Sequence, residues 1–525
     1  MKHIIKFKLF LLVILACFLC GCSSPDTSGT ETSVEATLPA IYIETVSRDA
    51  NVMDFVTKPV ARHVAEAIAS WTPNYQMPPE PYYEACTISL VNIDGTKMLD
   101  SVTGEVKVRG NWTTNYEKKP LRIKFDKPQD MLRMNDGNKF KNWLLLAEYK
   151  DGSMLRNKTA LSIARDLMQR DGHYVADAEF VEVFINGEYW GVYLLTEQQQ
   201  VNPERVNITD VAQGYTGTDI GYFMELDGYF YNEDALHQFH VDYADNAPLV
   251  PYDGNGGSGR TMTALSDDAH GYKEPIGMSI SSDIYSQEQH DFIASFVNNV
   301  YRIMYAAAYN NEAYCFNEDY SAISLSTELT PREAVEQVVD IQSLVDTYIL
   351  NEVACDADIY WSSFYMTADF GASGNKKLTF EAPWDFDSGL GLKSRCPNGT
   401  GFYAANIVPD VNGGPENGGF ETINPWLAVL ANLDWYQDMV RDTWTAAYDD
   451  KVFERALQMI AEDAENCSTA FAHNYERWNN LVNKDAFISE LSARAASCRN
   501  ETQAIEYLTD WLTRRINFLN EQWHN

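Results

Sequence analysis

At 525 residues the chain is too long for one small core and fits either two to four domains or one large two-lobed unit. Its apolar share of 45% and charged share of 22% are those of an ordinary folded protein. A formal net charge of -35 argues against nucleic acid or anionic lipid as a non-specific partner, and ATP would need a local basic pocket or a divalent cation to approach.

Residues 1–22 have the layout of a signal peptide: Lys2, Lys6 and Lys8, an apolar run over 9–19, then Leu19-Cys20-Gly21-Cys22. The run is too short for a stable transmembrane anchor. The tetrapeptide is similar to the bacterial lipobox, with Cys22 as the lipid acceptor and Cys20 an unusual residue two places before it. Residues 23–37, rich in Ser, Thr and acids at their start, then form a solvated tether. The expected location is extracytoplasmic, on a membrane through the lipid alone. Six cysteines remain beyond the leader, without a C-x-x-C or a histidine cluster, so no zinc site is expected. Cys467 with Cys498 is the favoured disulfide, and buried free thiols are the other reading.

Further along, 38–45 alternates as an opening strand, 60–71 has helical spacing after Pro59, 76–82 is a proline-rich loop and 86–93 is a strand. A strand through Lys107 then enters the polar loop Arg109-Gly110-Asn111-Trp112-Thr113, and the strand 121–125 leaves it. Arg122 and Lys124 alternate with Leu121, Ile123 and Phe125, so both cations share one strand face. With Lys107 and Arg109 this is the densest positive patch in the chain. It suits phosphate binding, although strand cations more often form a solvated face or guard an edge.

A short buried strand over 142–147 precedes a helix over 154–168, with Ser153 as its candidate N-cap. Arg156 and Lys158 sit at the wrong end of that helix dipole, which predicts a partner for them. Asn186-Gly187 between aromatic and β-branched runs is the strongest hairpin signal, and 221–227 is another strand. Residues 242–275 are too long for a plain connection and are expected to be a surface insertion. Capping-box spacing at Ser286 and Gln289, and at Thr330 and Glu333, marks two helix starts. From Trp426 onward the pattern is helical throughout.

The stretch 340–391 holds the candidate chemistry. A helix over 340–354, with one apolar face, delivers Asp356 and Asp358 to a loop; a hairpin over 363–381 then delivers Trp384-Asp385-Phe386-Asp387. The outer ends of a hairpin lie side by side, so Asp358 and Asp385 can meet. Like carboxylates repel unless a cation or proton intervenes, and magnesium with phosphate oxygens is the simplest resolution. Taken singly, Asp356 is better read as a structural cap.

Arg109-Gly-Asn-Trp-Thr113, Lys119-Pro-Leu-Arg-Ile-Lys124, Met154-Leu-Arg-Asn-Lys158, the hairpin from Phe180 to Glu197, Asn351-Glu352 through Asp358, and Trp384-Asp-Phe-Asp387 occur in the order seen in the CotH family. The sequence thus resembles a spore-coat protein whose relatives are atypical secreted protein kinases, over roughly residues 38–395. The resemblance implies an α+β, kinase-like two-lobed fold, with a β-rich N-lobe over 38–200 and a mainly helical C-lobe over 201–525. It implies ATP and Mg²⁺ as cofactors and transfer to Ser or Thr of a protein on the cell surface. Arg109, Asn111 and Arg122 would then hold phosphates, Lys124 would be the phosphate-contacting lysine, and Glu197 would lie in the hinge near adenine. Asp358 would be the catalytic aspartate, with Asp385 and Asp387 on the metal. Glu148 is a guess as the acid paired with Lys124. There is no G-x-G-x-x-G and no His-Arg-Asp, and Ser363 stands where kinases place a metal-binding Asn. Two rival readings are a non-catalytic structural or adhesive surface protein and an adenylyl transferase.

Overall fold

The computed structural model describes residues 34–46, 69, 82–254, 259–264, 276–393, 396, 398–409 and 421–525. The signal peptide with Cys22, most of the tether, the helix expected over 60–71 and nearly all of the proline-rich loop lie outside the described residues. The described residues from Ala36 to Asn525 form one compact unit.

Seven strands close into a barrel: β1 (Ala40–Thr45), β2 (Glu84–Val91), β3 (Lys97–Val108), β4 (Leu121–Gln129), β5 (Phe140–Leu146), β6 (Ala178–Ile185) and β7 (Glu188–Glu197). Their order is β1-β2-β3-β4-β5-β7-β6, and β6 returns to pair with β1 in parallel. Closure removes the unpaired edges that β1 and β6 would otherwise present. Alternation is visible in β2 and β3, whereas β6 and β7 are buried almost throughout. The hairpin between them turns through Asn186 and Gly187, both at positive φ (52° and 82°), the conformation that an Asn-Gly pair tolerates best.

A second sheet is built from β8 (Gly221–Leu226), β9 (Gln238–Phe239), β10 (Met278–Ile280), β13 (Phe364–Asp369) and β14 (Leu378–Phe380), with β13 between β8 and β14. A small hairpin, β11 (Tyr314–Phe316) with β12 (Ile323–Leu325), stands apart. The helices are α1 (Arg156–Met168), α2 (Gln287–Tyr305), α3 (Pro331–Val338), α4 (Ile341–Ala354), α5 (Asp434–Asp449), α6 (Val452–Asn466), α7 (Ser468–Trp478) and α8 (Glu501–Trp523). This is a mixed α+β protein. Trp143, Trp426, Trp444 and Trp511 are fully buried in one continuous apolar core. Each such side chain contributes about 1.5–3 kcal/mol or more, which outweighs exposed pairs such as Lys97–Asp100 at about 0–1 kcal/mol.

Several local expectations need correction. Helix α1 begins at Arg156, and Asp151, not Ser153, accepts the Arg156 N–H, at 3.0 Å. The misplaced cations have partners: Arg156 pairs with Asp151, and Lys158 lies 3.1 Å from both Glu179 and Asp463. Helix α4 is buried nearly all round rather than on one face, because α1, α5, α8 and β14 enclose it. Both capping boxes form, at α2 and α3. The stretch 242–275 is anchored in its described part, with Tyr243 and Leu249 in the core. The tail is not helical throughout, since residues 479–492 leave the helical path and return a side chain, Glu490, to the site described next. Cys467 and Cys498 are both buried free thiols, as are Cys86, Cys355 and Cys396.

Candidate functional site

Two adjoining cavities of about 720 and 850 Å³ share Arg109, Gly110, Asn111, Glu233, Tyr365 and Trp384. They form one cleft. Its smaller end is bounded by Gln198, Gln199, Gln200, Leu144 and Phe223, together with Lys107 and Arg122. Its larger end carries Asp358, Asp385, Asp387, Lys150, Lys393 and Glu490. Arg109 lies at the junction, with its guanidinium 5.9 Å from the Trp384 ring.

The acidic end is assembled by two sharp changes of direction. Helix α4 stops at Cys355, whose positive φ of 46° turns the chain out of the helix. Asp356 then accepts the Asp358 N–H at 3.3 Å, and the Asp358 carbonyl accepts from Trp361 and Ser362. From the other side, β14 leads to Asp385, held at φ 69°. A non-glycine residue held there stores backbone strain of order 1–3 kcal/mol, which the surrounding packing must sustain. A 3-10 turn over Phe386–Ser388 follows and presents Asp387. The Ser363 hydroxyl donates to Asp385 at 3.3 Å, which ties the two approaches together.

The carboxylates differ in charge state for physical reasons. Burial pushes Asp385 up to about 7, and the neighbouring charges of Asp387 and Asp358 add to the rise. Burial also raises Asp387, against the pull of Lys150. Asp358 moves the other way: burial would raise it, but Lys393, Lys150 and a hydrogen bond from Ser388 together hold it below the ordinary carboxylate range. Asp356 is wholly buried, its Oδ2 has no hydrogen-bond partner, and burial followed by repulsion from Asp358 and Asp385 raises it strongly.

Lys150 is the residue that sequence reasoning missed. It follows the short strand β5 in a loop, where a lysine usually means solvent. Here it is only 6% exposed, with Nζ 3.2 Å from Asp387, 3.6 Å from Glu490 and 3.0 Å from the Ser388 hydroxyl. Those charges keep it firmly cationic despite burial. Glu490 comes from the C-terminal region and also accepts from the Tyr116 hydroxyl at 2.6 Å. Glu225 was missed too, although a single acid in the apolar strand β8 was the available signal. It accepts the Ser363 N–H at 2.8 Å, and burial raises it to about 8, with Asp227 and Asp385 adding repulsion.

Of the residues singled out in the sequence, Arg109, Asn111 and Arg122 line the smaller cavity, and Asp358, Asp385 and Asp387 line the larger. Lys124 and Glu197 line neither. Lys124 shares a face with Arg122 but lies two residues further along the strand, about 6–7 Å away. There it is half exposed, 3.9 Å from Glu105 and 5.3 Å from the Tyr83 ring. Glu148 is not its partner; it is buried and accepts from Asn157 at 2.9 Å. Glu197 is buried and structural, accepting from the Asp177 N–H at 2.9 Å, Asn135 at 2.7 Å and Arg205 at 3.1 Å. The three glutamines after it face the cavity instead.

Among the described residues no group of three or more His, Cys, Asp or Glu side chains is already arranged around a cation position. Magnesium commonly takes only one or two protein carboxylates, the rest being phosphate and water oxygens. Asp385 and Asp387 line the cavity and are both raised, first by burial and then in part by the charge of Asp358, so a cation beside them would favour their ionised forms. The donor set therefore fits a magnesium ion that arrives with phosphates.

Barrel, second sheet and acid-lined cleft together define a mixed α+β protein with one extended polar site. The chain belongs to the CotH kinase family: the family model described as CotH kinase protein matches residues 106–519, most of the chain. No curated protein matches it.

Proposed function

We propose that this chain is an extracytoplasmic protein kinase of the CotH type, transferring the γ-phosphoryl group of ATP to a Ser or Thr hydroxyl of a surface protein. The barrel would serve as the N-lobe and the second sheet with its helices as the C-lobe, tethered to the membrane by a lipid on Cys22. One observation carries the reading. A single cleft runs from amide side chains suited to a base, past an arginine at its junction, to carboxylates of unequal charge state.

In this scheme Gln198 to Gln200 and Leu144 receive the base, while Arg109 and Asn111 hold the phosphates against the barrel. Asp385 and Asp387 would hold magnesium, which offsets charge on the transferring phosphates. Lys150 fixes Asp387 and neutralises part of its charge. Asp358, kept ionised by Lys393 and Lys150, accepts a hydrogen bond from the acceptor hydroxyl. As the new O–P bond forms and the bond from the bridging oxygen to the γ-phosphorus breaks, Asp358 takes the hydroxyl proton and ADP leaves.

Adenylyl transfer is a second reading, favoured by the position of Lys107 and Arg122 at the end away from Asp385. A nucleotide lying the other way would put its γ-phosphate beside them. One experiment separates the readings: purified protein is incubated with magnesium and ATP labelled at the α or the γ phosphate, and the modified protein is weighed. Retained γ label alone supports kinase action, and retained α label supports adenylylation. Absence of both label and nucleotide binding leaves a non-catalytic surface protein.

A further inference from the structure

Of the buried thiols, Cys355 and Cys396 are neighbours. They lie 41 positions apart in the chain, yet each thiol acts on the other's charge, and the Arg515 guanidinium spans the two segments that carry them. Each backbone is held. The Cys355 N–H donates to the Asn351 carbonyl at 2.9 Å, and the Cys396 carbonyl accepts from the Trp511 indole at 2.7 Å and the Gly399 N–H at 3.1 Å. The Cys355 thiol is also near the Glu352 carbonyl at 3.3 Å, and the Cys396 thiol is near the Thr400 carbonyl at 3.4 Å. The buried Arg515 reaches both segments, donating to the Glu352 carbonyl at 2.6 Å and to the Gly401 carbonyl at 2.5 Å.

The setting gives the pairing a consequence. Cys355 ends α4 directly before the loop of Asp356 and Asp358, and Cys396 follows three positions after Lys393, which lies 3.6 Å from Asp358. Between the two segments the chain already runs close. The Leu390 N–H donates to the Ala354 carbonyl at 2.6 Å, and a Cβ on Gly389 would come within 3.1 Å of that same oxygen. Whatever fastens Cys355 to Cys396 therefore ties together the two ends of the stretch that carries Asp358, Asp385, Asp387 and Lys393.

We propose that Cys355 and Cys396 are the site of an intramolecular disulfide that staples the aspartate loop to the segment bearing Lys393. The proposal stands apart from the kinase reading and requires only that the thiols meet an oxidant of the disulfide class, such as oxidised glutathione. The Cys396 thiolate attacks one sulfur of that disulfide, forming a mixed disulfide and expelling one glutathione thiolate. The Cys355 thiolate then attacks the Cys396 sulfur and expels the second. Two protein thiols are oxidised, one small disulfide is reduced, and the two protons end on two glutathione thiols. The sulfurs close to a covalent bond of about 2.05 Å. The neighbouring Cys355 and the positive charge of Arg515 favour the attacking thiolate, with Cys396 drawn down to about 7 chiefly by Cys355.

The test uses the full chain, refolded from urea in a glutathione couple, then denatured in an alkylating agent without reductant and digested. A cross-linked peptide pair carrying Cys355 and Cys396 is expected; it should vanish on reduction and in both Cys355→Ser and Cys396→Ser. Tryptic cleavage at Lys393 in the folded protein should be roughly tenfold slower in the oxidised form than in the reduced form. Recovery of both cysteines in alkylated form from the oxidised protein overturns the proposal. So does a link from either to another cysteine, or an equal cleavage rate at Lys393 in both forms.

Discussion

Two buried ion pairs in this molecule have opposite characters. Glu352 and Arg515 are fully enclosed and fully used: the carboxylate accepts Arg515 at 2.6 Å, the Tyr403 N–H at 3.0 and 2.9 Å and the Ala404 N–H at 2.9 Å. Asp387 and Lys150 are less deeply placed, 15% and 6% exposed, and open on one side to an 850 Å³ cavity, where Lys150 also meets the charges of Glu490 and Asp358. The first pair has no capacity left for a ligand. The second leaves carboxylate oxygens and an excess of negative charge facing a space. Burial alone therefore does not mark a site; unspent bonding capacity beside a cavity does.

Substitutions can break that contrast. The largest effect on transfer is expected from Asp385→Asn, which should lower phosphorylation at least about 10³-fold while leaving the thermal midpoint equal or higher, because a raised carboxylate is removed. Wild-type rates for that variant in the labelled-ATP assay would end the kinase reading. Arg515→Ala should do the reverse. It leaves Glu352 buried without its partner, a loss of about 3–5 kcal/mol readable by denaturant unfolding. Lys150→Met should fall between them, with a roughly 10- to 100-fold loss of transfer, because Asp387 loses its tether while the carboxylates stay in place.

The same contrast predicts a pH response. The folded-state affinities of Asp385 (about 7) and Glu225 (about 8) lie above those of unfolded carboxyls. The folded protein thus holds more protons between about pH 4 and pH 8, so their contribution to stability is present below about pH 4 and lost as pH rises through that window. The thermal midpoint should fall from pH 5 to pH 8. Magnesium with a non-hydrolysable ATP analogue should restore it at pH 8, by about 2.7 kcal/mol at a hundredfold excess over Kd. No restoration at saturating ligand would sink the metal assignment without touching the fold.

The strands, the Asn-Gly hairpin, both capping boxes and helix α4 were legible because each is written in local spacing. The acidic end of the cleft was legible for a related reason, since a helix end and a hairpin end are near neighbours along the chain. Lys150, Glu225 and Glu490 were not. Their roles depend on approach from three separate regions, and apart from Glu225, a lone acid in an apolar strand, none departs from an ordinary loop residue in its own neighbourhood. Glu197 misled for the opposite reason: the end of a hairpin was located, but the side chain there turns inward to Arg205 and Asn135.

Lys124 offers the smallest effect and a sharp test of how far a strand pattern can be trusted. Alternation along β4 places Lys124 and Arg122 on one face, and nothing in that pattern says where along the strand a cavity ends. The structure ends it at Arg122. Among the described residues Lys124 meets Glu105, at 3.9 Å with both side chains more than two-fifths exposed, and the Tyr83 ring. Such a pair contributes about 0–1 kcal/mol to stability and nothing to phosphate binding. Lys124→Ala should therefore change KM for ATP less than about threefold, whereas Arg109→Ala, at the junction of the cavities, should raise it about tenfold or more through loss of a charged hydrogen bond. Equal losses in the two variants would mean that the cleft closes over the ligand far enough to bring Lys124 onto it.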